Sequence, residues 1–168
     1  MTAGSEFSRP VLLDQIFERP KVMEVEASEA ERRALSERFG LVEVRRLGGT
    51  VRRSRSGVFY RLEADWQADV VQTCVVTLEP IENHLEERLV ERFGPTDRSE
   101  NELDLDPEAD EVEGIDGGAI DVGEAIAQAL SLALDPYPRK PGATLDTPGE
   151  RQGEEGPFAA LSRLRKGS

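Results

Sequence analysis

From residue 58 to residue 70 apolar and polar positions alternate along the chain. Val58, Tyr60, Leu62, Ala64, Trp66, Ala68 and Val70 are apolar; after Phe59, the positions between them are Arg61, Glu63, Asp65, Gln67 and Asp69. A period of two buries one face and wets the other, the mark of an antiparallel sheet. Most strands run about 5–6 residues. A run this long therefore implies a curved strand serving two sides of a barrel or sandwich, or a break near Asp65. Ile81, Leu85, Leu89 and Phe93 recur every fourth residue, a spacing that helix and strand both accept. Pro80 in front and Gly94-Pro95 behind bound that segment without choosing between them.

Two segments carry helix signals. Ser28 is a good N-cap, Glu31 completes a capping box, Ala34, Leu35 and Phe39 make the apolar stripe, and Gly40 is the expected stop. Asp121 caps the second helix, with Glu124 at the third position. Val122, Ile126, Ala129, Leu130 and Ala133 line its buried face, Leu132 and Leu134 widen it, and Pro136 ends it. The predicted spans are 28–39 and 121–135. Residues 7–16 and 22–25 read as extended, separated by Pro20. Val42 and Val44 resume β character, and Gly48-Gly49 reads as a hairpin turn. Gly4-Ser5-Glu6-Phe7 suits a vector-derived remnant and the lead into the first strand equally. The expected class is α+β: a mainly antiparallel β-barrel or sandwich with two capped helices. An open sheet covered on one face is the alternative.

Charge changes this picture locally. Of a formal net charge of −13, −9 falls in residues 96–116, which hold ten acids and only Arg98. This stretch reads as an exposed, disordered loop inside a single domain spanning 1–141. Residues 142–157 are rich in Gly, Pro and Glu and read as a disordered linker. The tail carries Phe158, Leu161 and Leu164 beside Arg163, Arg165 and Lys166. Its i, i+3, i+6 apolar spacing suits docking on a partner; a frayed terminus is the plainer reading. No apolar run approaches the roughly 20 residues that span a bilayer, and no secretory signal is evident, so the expected location is cytoplasmic with no membrane partner.

Candidate chemistry is sparse. His84 is the single histidine and lies among charged residues, which leaves no acyl-transfer triad. Gly48-Gly49 and Gly117-Gly118 lack phosphate-loop spacing. Asp104-x-Asp106-x-Glu108-x-Asp110 resembles a calcium loop, but Ala109 replaces the glycine and Ile115 the bidentate Glu that such a loop needs. The expectation is therefore no enzyme, no metal and no cofactor. Arg45, Arg46, Arg52, Arg53 and Arg55 flank Gly48-Gly49, opposed locally by Glu43. On a hairpin they would form a compact positive surface for phosphates, contacting backbone rather than bases; the plainer reading is a solvated hairpin balanced by neighbouring acids. Phe59 and Tyr60 are the nearby aromatics.

Cys74…Leu78-Glu79-Pro80, the acidic insertion, and Asp121-x-Gly123-Glu124 opening a Leu/Ala-rich helix before a Pro-rich exit form an ordered set. In that order the set resembles the YceD family, the bacterial large ribosomal RNA subunit accumulation proteins, from about residue 7 to residue 142. Many relatives carry a second cysteine where this chain has Thr77. A lone thiol cannot close a tetrahedral zinc site, so Cys74 is expected to be a small core residue. The resemblance favours a strand for the segment after Pro80. It implies a non-enzymatic factor supporting large-subunit ribosomal RNA, whose partner is pre-ribosomal RNA or a basic ribosomal protein. The alternative is an acidic adaptor or chaperone for a basic partner that does not itself bind RNA.

Overall fold

The computed structural model describes residues 5–95, 112–115 and 117–144. In chain order the elements are β1 (Pro10–Leu12), a 3-10 turn (Leu13–Gln15), β2 (Lys21–Glu26), α1 (Glu29–Phe39), β3 (Glu43–Ser56), β4 (Phe59–Thr73), β5 (Pro80–Gly94), β6 (Val112–Gly114), β7 (Ala119–Asp121) and α2 (Val122–Ala133). Strands β2 to β6 form one sheet in sequence order, antiparallel except for the parallel β5–β6 pair. β1 and β7 pair separately.

The alternating segment is a single strand without a break at Asp65, which pairs with Thr50 on one side and Arg88 on the other. Leu62, Ala64, Trp66, Ala68 and Val70 are buried. Ile81, Leu85, Leu89 and Phe93 fall in register with the even positions of β4, so a four-residue repeat puts them all on the core side. Leu35 of α1 and Val122, Ile126 and Leu130 of α2 pack into the same apolar cluster, with Val11 and Ile120 from β1 and β7. The core is one layer between this sheet face and the helices.

Three expectations are corrected. No barrel closes among the described strands: β2 and β6 are free edges, and Glu63, Asp65 and Asp69 keep the far face of β4 charged. The open sheet covered on one face is the arrangement found. Gly48 and Gly49 are not a turn; they lie within β3, paired with Gln67 and Trp66. The reversal occurs at Gly57, whose φ of 61° suits glycine, and it leaves Val58 exposed in the turn rather than in the strand. Leu132 does not widen the apolar face of α2; at 88% exposure it points into solvent. Six positions beyond Ile126, at 100° per residue, it falls about 120° round the helix, just past the buried face.

Smaller differences follow the same lines. Residues 112–114, expected within the acidic loop, form β6, and only Pro10–Leu12 of the stretch 7–16 is strand. The capping box of Ser28 and Glu31 and the left-handed Gly40 form as expected.

The β5–β6 contact holds a misfit carboxylate. Burial, and then the neighbouring Glu113, push Glu91 up to about 7. Its folded pKa lies above the unfolded value, so the native state retains the proton and loses stability as pH rises from about 4.5 through 7. Glu91→Gln should therefore stabilise the protein at pH 8 by about 1–2 kcal/mol, allowing for partial exposure, and do little at pH 5. Thermal melts at the two pH values check this.

Candidate nucleic-acid interface

The five arginines expected on one hairpin share a strand instead. Arg46 and Arg52 face solvent about 20 Å apart, six residues along β3. Arg45 sits in a bulge between Val44 and Arg46, where its guanidinium meets Glu43 at 3.0 Å and Glu82 at 2.8 Å. Those two carboxylates, Glu43 first, raise its pKa and neutralise it locally. Arg53 and Arg55 are in register with Leu62 and Tyr60, on the core side of the sheet. Arg53 is half-buried and donates to the Met23 sulfur at 2.7 Å, while Arg55 is exposed at the strand end.

What the fold assembles is a different cluster. Around Arg52 on the solvent face stand Arg61 of β4 and Arg88 and Arg92 of β5. The register places Arg52 opposite Glu63, and Arg61 directly opposite Arg92. Strand spacing sets neighbouring Cα separations within this group at roughly 5–13 Å. Glu63 is the central carboxylate: Arg61 approaches it at 3.1 Å and Arg88 at 3.5 Å. Arg92 lies over the Phe59 ring, 5.2 Å from its centroid. Among the described residues Arg52 and Arg55 have no carboxylate within ion-pair distance. Like charges directly opposite on a sheet repel, and Arg61 is countered there by Glu63. Sequence reasoning missed Arg61, Arg88 and Arg92 because Arg61 read as one wet position of the alternating strand and the segment after Pro80 was read only for its apolar residues. The Ser56-Gly57 dipeptide, a turn signal, would have placed the hairpin correctly.

The strand ends opposite this cluster carry Glu43, Asp69 and Glu82, and Glu86 stands at mid-strand in β5. His84 is exposed there, with Nδ1 2.6 Å from Asp69 Oδ1. Among the described residues no three His, Cys, Asp or Glu side chains converge as metal ligands. None of their helices is long and apolar enough to cross a membrane. The calcium-like run from Asp104 to Asp110 lies outside the described residues, as do Phe158, Leu161, Arg163, Leu164 and Arg165.

The residues of the ordered motif set hold junctions. Asp121 caps α2 through the amides of Gly123 and Glu124 and also accepts from the Arg9 amide and the Ser8 hydroxyl. Gly123 packs directly on the Phe7 carbonyl. Glu124 takes two bonds from Arg38, at 2.9 and 2.7 Å, tying α1 to α2. At the other junction Cys74 is fully buried. Its sulfur accepts from the Thr77 and Lys140 amides, both at 3.4 Å. Hydrogen bonding from Thr77, then from the Lys140 amide, brings the thiol down to about 6. Glu79 pairs with Lys140 at 3.0 Å, Pro80 opens β5, and Leu78 is exposed with a left-handed φ of 60°.

Residues 62–165 match the family described as large ribosomal RNA subunit accumulation protein YceD. The match spans more than half of the chain, which therefore belongs to that family. It starts at Leu62 rather than near Phe7 and runs through the C-terminal tail. No curated protein and no solved structure matches the chain.

Proposed function

We propose that this protein is a non-enzymatic cytoplasmic factor supporting the accumulation of large-subunit ribosomal RNA, and that it contacts the phosphate backbone of precursor RNA through the arginines at the hairpin end of its sheet. The family description supports the RNA class. The observation that carries the contact is the gathering of Arg52, Arg61, Arg88 and Arg92 on one sheet face about Glu63 and Asp65, with Arg61 and Arg92 directly opposed in register. Guanidinium groups suit bidentate phosphate pairing, and a flat, wet sheet face carries side chains for backbone contact rather than a cleft for chemistry. Phe59, beside Arg92 at the hairpin end, is the candidate stacking partner for an exposed base, while Tyr60 packs on the core side.

Such binding is salt-dependent. Each phosphate contact contributes about 0.7–0.9 to the slope of log affinity against log salt. Neutralising Arg52, Arg61 and Arg92 to Gln should lower affinity for a large-subunit RNA fragment by about 10–100-fold and flatten the slope by about 2. Neutralising Arg45 and Arg46 should do little. An unchanged slope in the triple variant would reject the interface. Glu43, Asp69 and Glu82 at the opposite strand ends favour a second reading, an adaptor for a basic ribosomal protein without RNA affinity of its own. Under that reading, deleting residues 96–111 abolishes protein capture while the arginine changes are silent.

A further inference from the structure

A groove of about 490 Å³ opens at the end of the sheet away from the arginines, where the C-termini of α1 and α2 meet the end of β4. Its walls include Phe39, Leu41, Val75, Leu134, Pro136 and Pro138. Apolar surface continues past the rim: Val75 is 45% exposed, Leu78 76% and Tyr137 71%. Leu78 shows an apolar side chain to water from a left-handed backbone, two unfavourable features in one residue. Left-handed backbone in a non-glycine residue costs on the order of 1 kcal/mol and persists where the surroundings require it. The Val75 amide bonds to the Pro138 carbonyl at 2.9 Å, so both walls are fixed to each other.

We infer that this groove is the docking site of the chain's own C-terminal segment, residues 158–166. Three observations favour that occupant. The described chain leaves the groove wall at Pro138 and ends at Thr144, fourteen residues before Phe158. A linker of that length spans about 20 Å, enough to return to the same end of the sheet. Phe158, Leu161 and Leu164 supply apolar side chains, and after Glu155 the only charged side chains are Arg163, Arg165 and Lys166. On the groove side the cation Arg38 is already held by Glu6 and Glu124, which leaves Asp135 as the charge facing the entrant. The family match runs from residue 62 through 165, so it takes in the tail and the Val75, Leu134, Pro136 and Pro138 side of the groove but not Phe39 and Leu41. Tethering gives the segment an effective concentration of order mM, so a weak site suffices to hold it. This docking is independent of the RNA contact at the opposite end.

Backbone amide spectra of the full-length protein test it. With Leu161→Asp and Leu164→Asp together, the amides of Leu41, Val75 and Ser131 should shift while the core, read by Trp66 emission, stays intact. Reciprocally, Val75→Lys should move the amides of residues 158–164, and adding it to the tail variant should move the groove amides that report docking no further. Groove amides that ignore the tail substitutions would overturn the inference. Shifts that disappear on dilution would also overturn it, because they would place a second copy in the groove.

Discussion

Gly123→Ala should destabilise the protein by about 2–4 kcal/mol, measured by urea unfolding with Trp66 emission as the probe. The sign is the informative part. At an open position inside a helix, replacing glycine with alanine gains about 1 kcal/mol. At Gly123 an added Cβ would meet the carbonyl carbon of Phe7 at 2.9 Å and the Arg9 amide nitrogen at 3.0 Å, with the Phe7 carbonyl oxygen closer still. These are backbone atoms of a segment pinned by a wholly buried Phe7 and by the Arg9 amide bond to Asp121. They cannot yield as a flexible side chain would. Relief requires lifting α2 off the N-terminal segment and loosening the core to which Phe7 and Ile126 both belong. Gly123→Val should be worse, and an unchanged or raised midpoint for alanine would refute the close approach.

Glu124→Gln should cost about 1–2 kcal/mol at pH 7 and almost nothing near pH 2. Arg38, the largest contributor, with Ser5 and Gln128, holds the Glu124 carboxyl down to about 2. The folded pKa lies below the unfolded value, so the stabilisation is complete above about 4.5 and is lost as pH falls through 2. The full shift would imply more, but the pair is partly open to solvent, with side-chain exposures of 32% and 23%, and screening reduces its value. Glu31 is held down to about 2 by Arg9 in the same way, so both carboxylates help tie the helices to the N-terminal segment and both release in acid. Thermal melts of wild type and Glu124→Gln between pH 2 and 7 should converge at the acid end; parallel curves would contradict the ion-pair account.

The acid response of Glu31 and Glu124 runs against the alkaline response of Glu91. Together they place maximal stability between the two windows, in mildly acidic solution. Arg38 and Glu124 act between the two helices, and Glu91 acts where β6 joins the sheet. Local probes at the two places should therefore respond to pH in opposite directions.

Periodicity and caps carried most of the secondary structure. Ser28 with Glu31, Gly40 and Asp121 act within a turn of the backbone, so their geometry depends on neighbours three or four positions away. The two-residue period of β4 likewise needs only one buried face. Gly48-Gly49 misled for a physical reason: glycine marks turns and close backbone approach alike, and here an added Cβ on Gly49 would strike the Asp65 carbonyl of the neighbouring strand. Placing the turn there put five arginines on one surface; moving it to Gly57 spreads them along β3 and over both faces.

By itself the amino-acid order determined the strand and helix content, the capped ends, the local acidity and the family, because each is written in residues close together in the chain. Only the tertiary structure decided whether the sheet closes, which arginines become neighbours, and what Gly123 touches. Strand register brings Arg61 and Arg92 together across 31 positions of chain, and α2 sets Gly123 on Phe7 across 116. Such contacts depend on how separate elements pack, and no local pattern of residues encodes that packing.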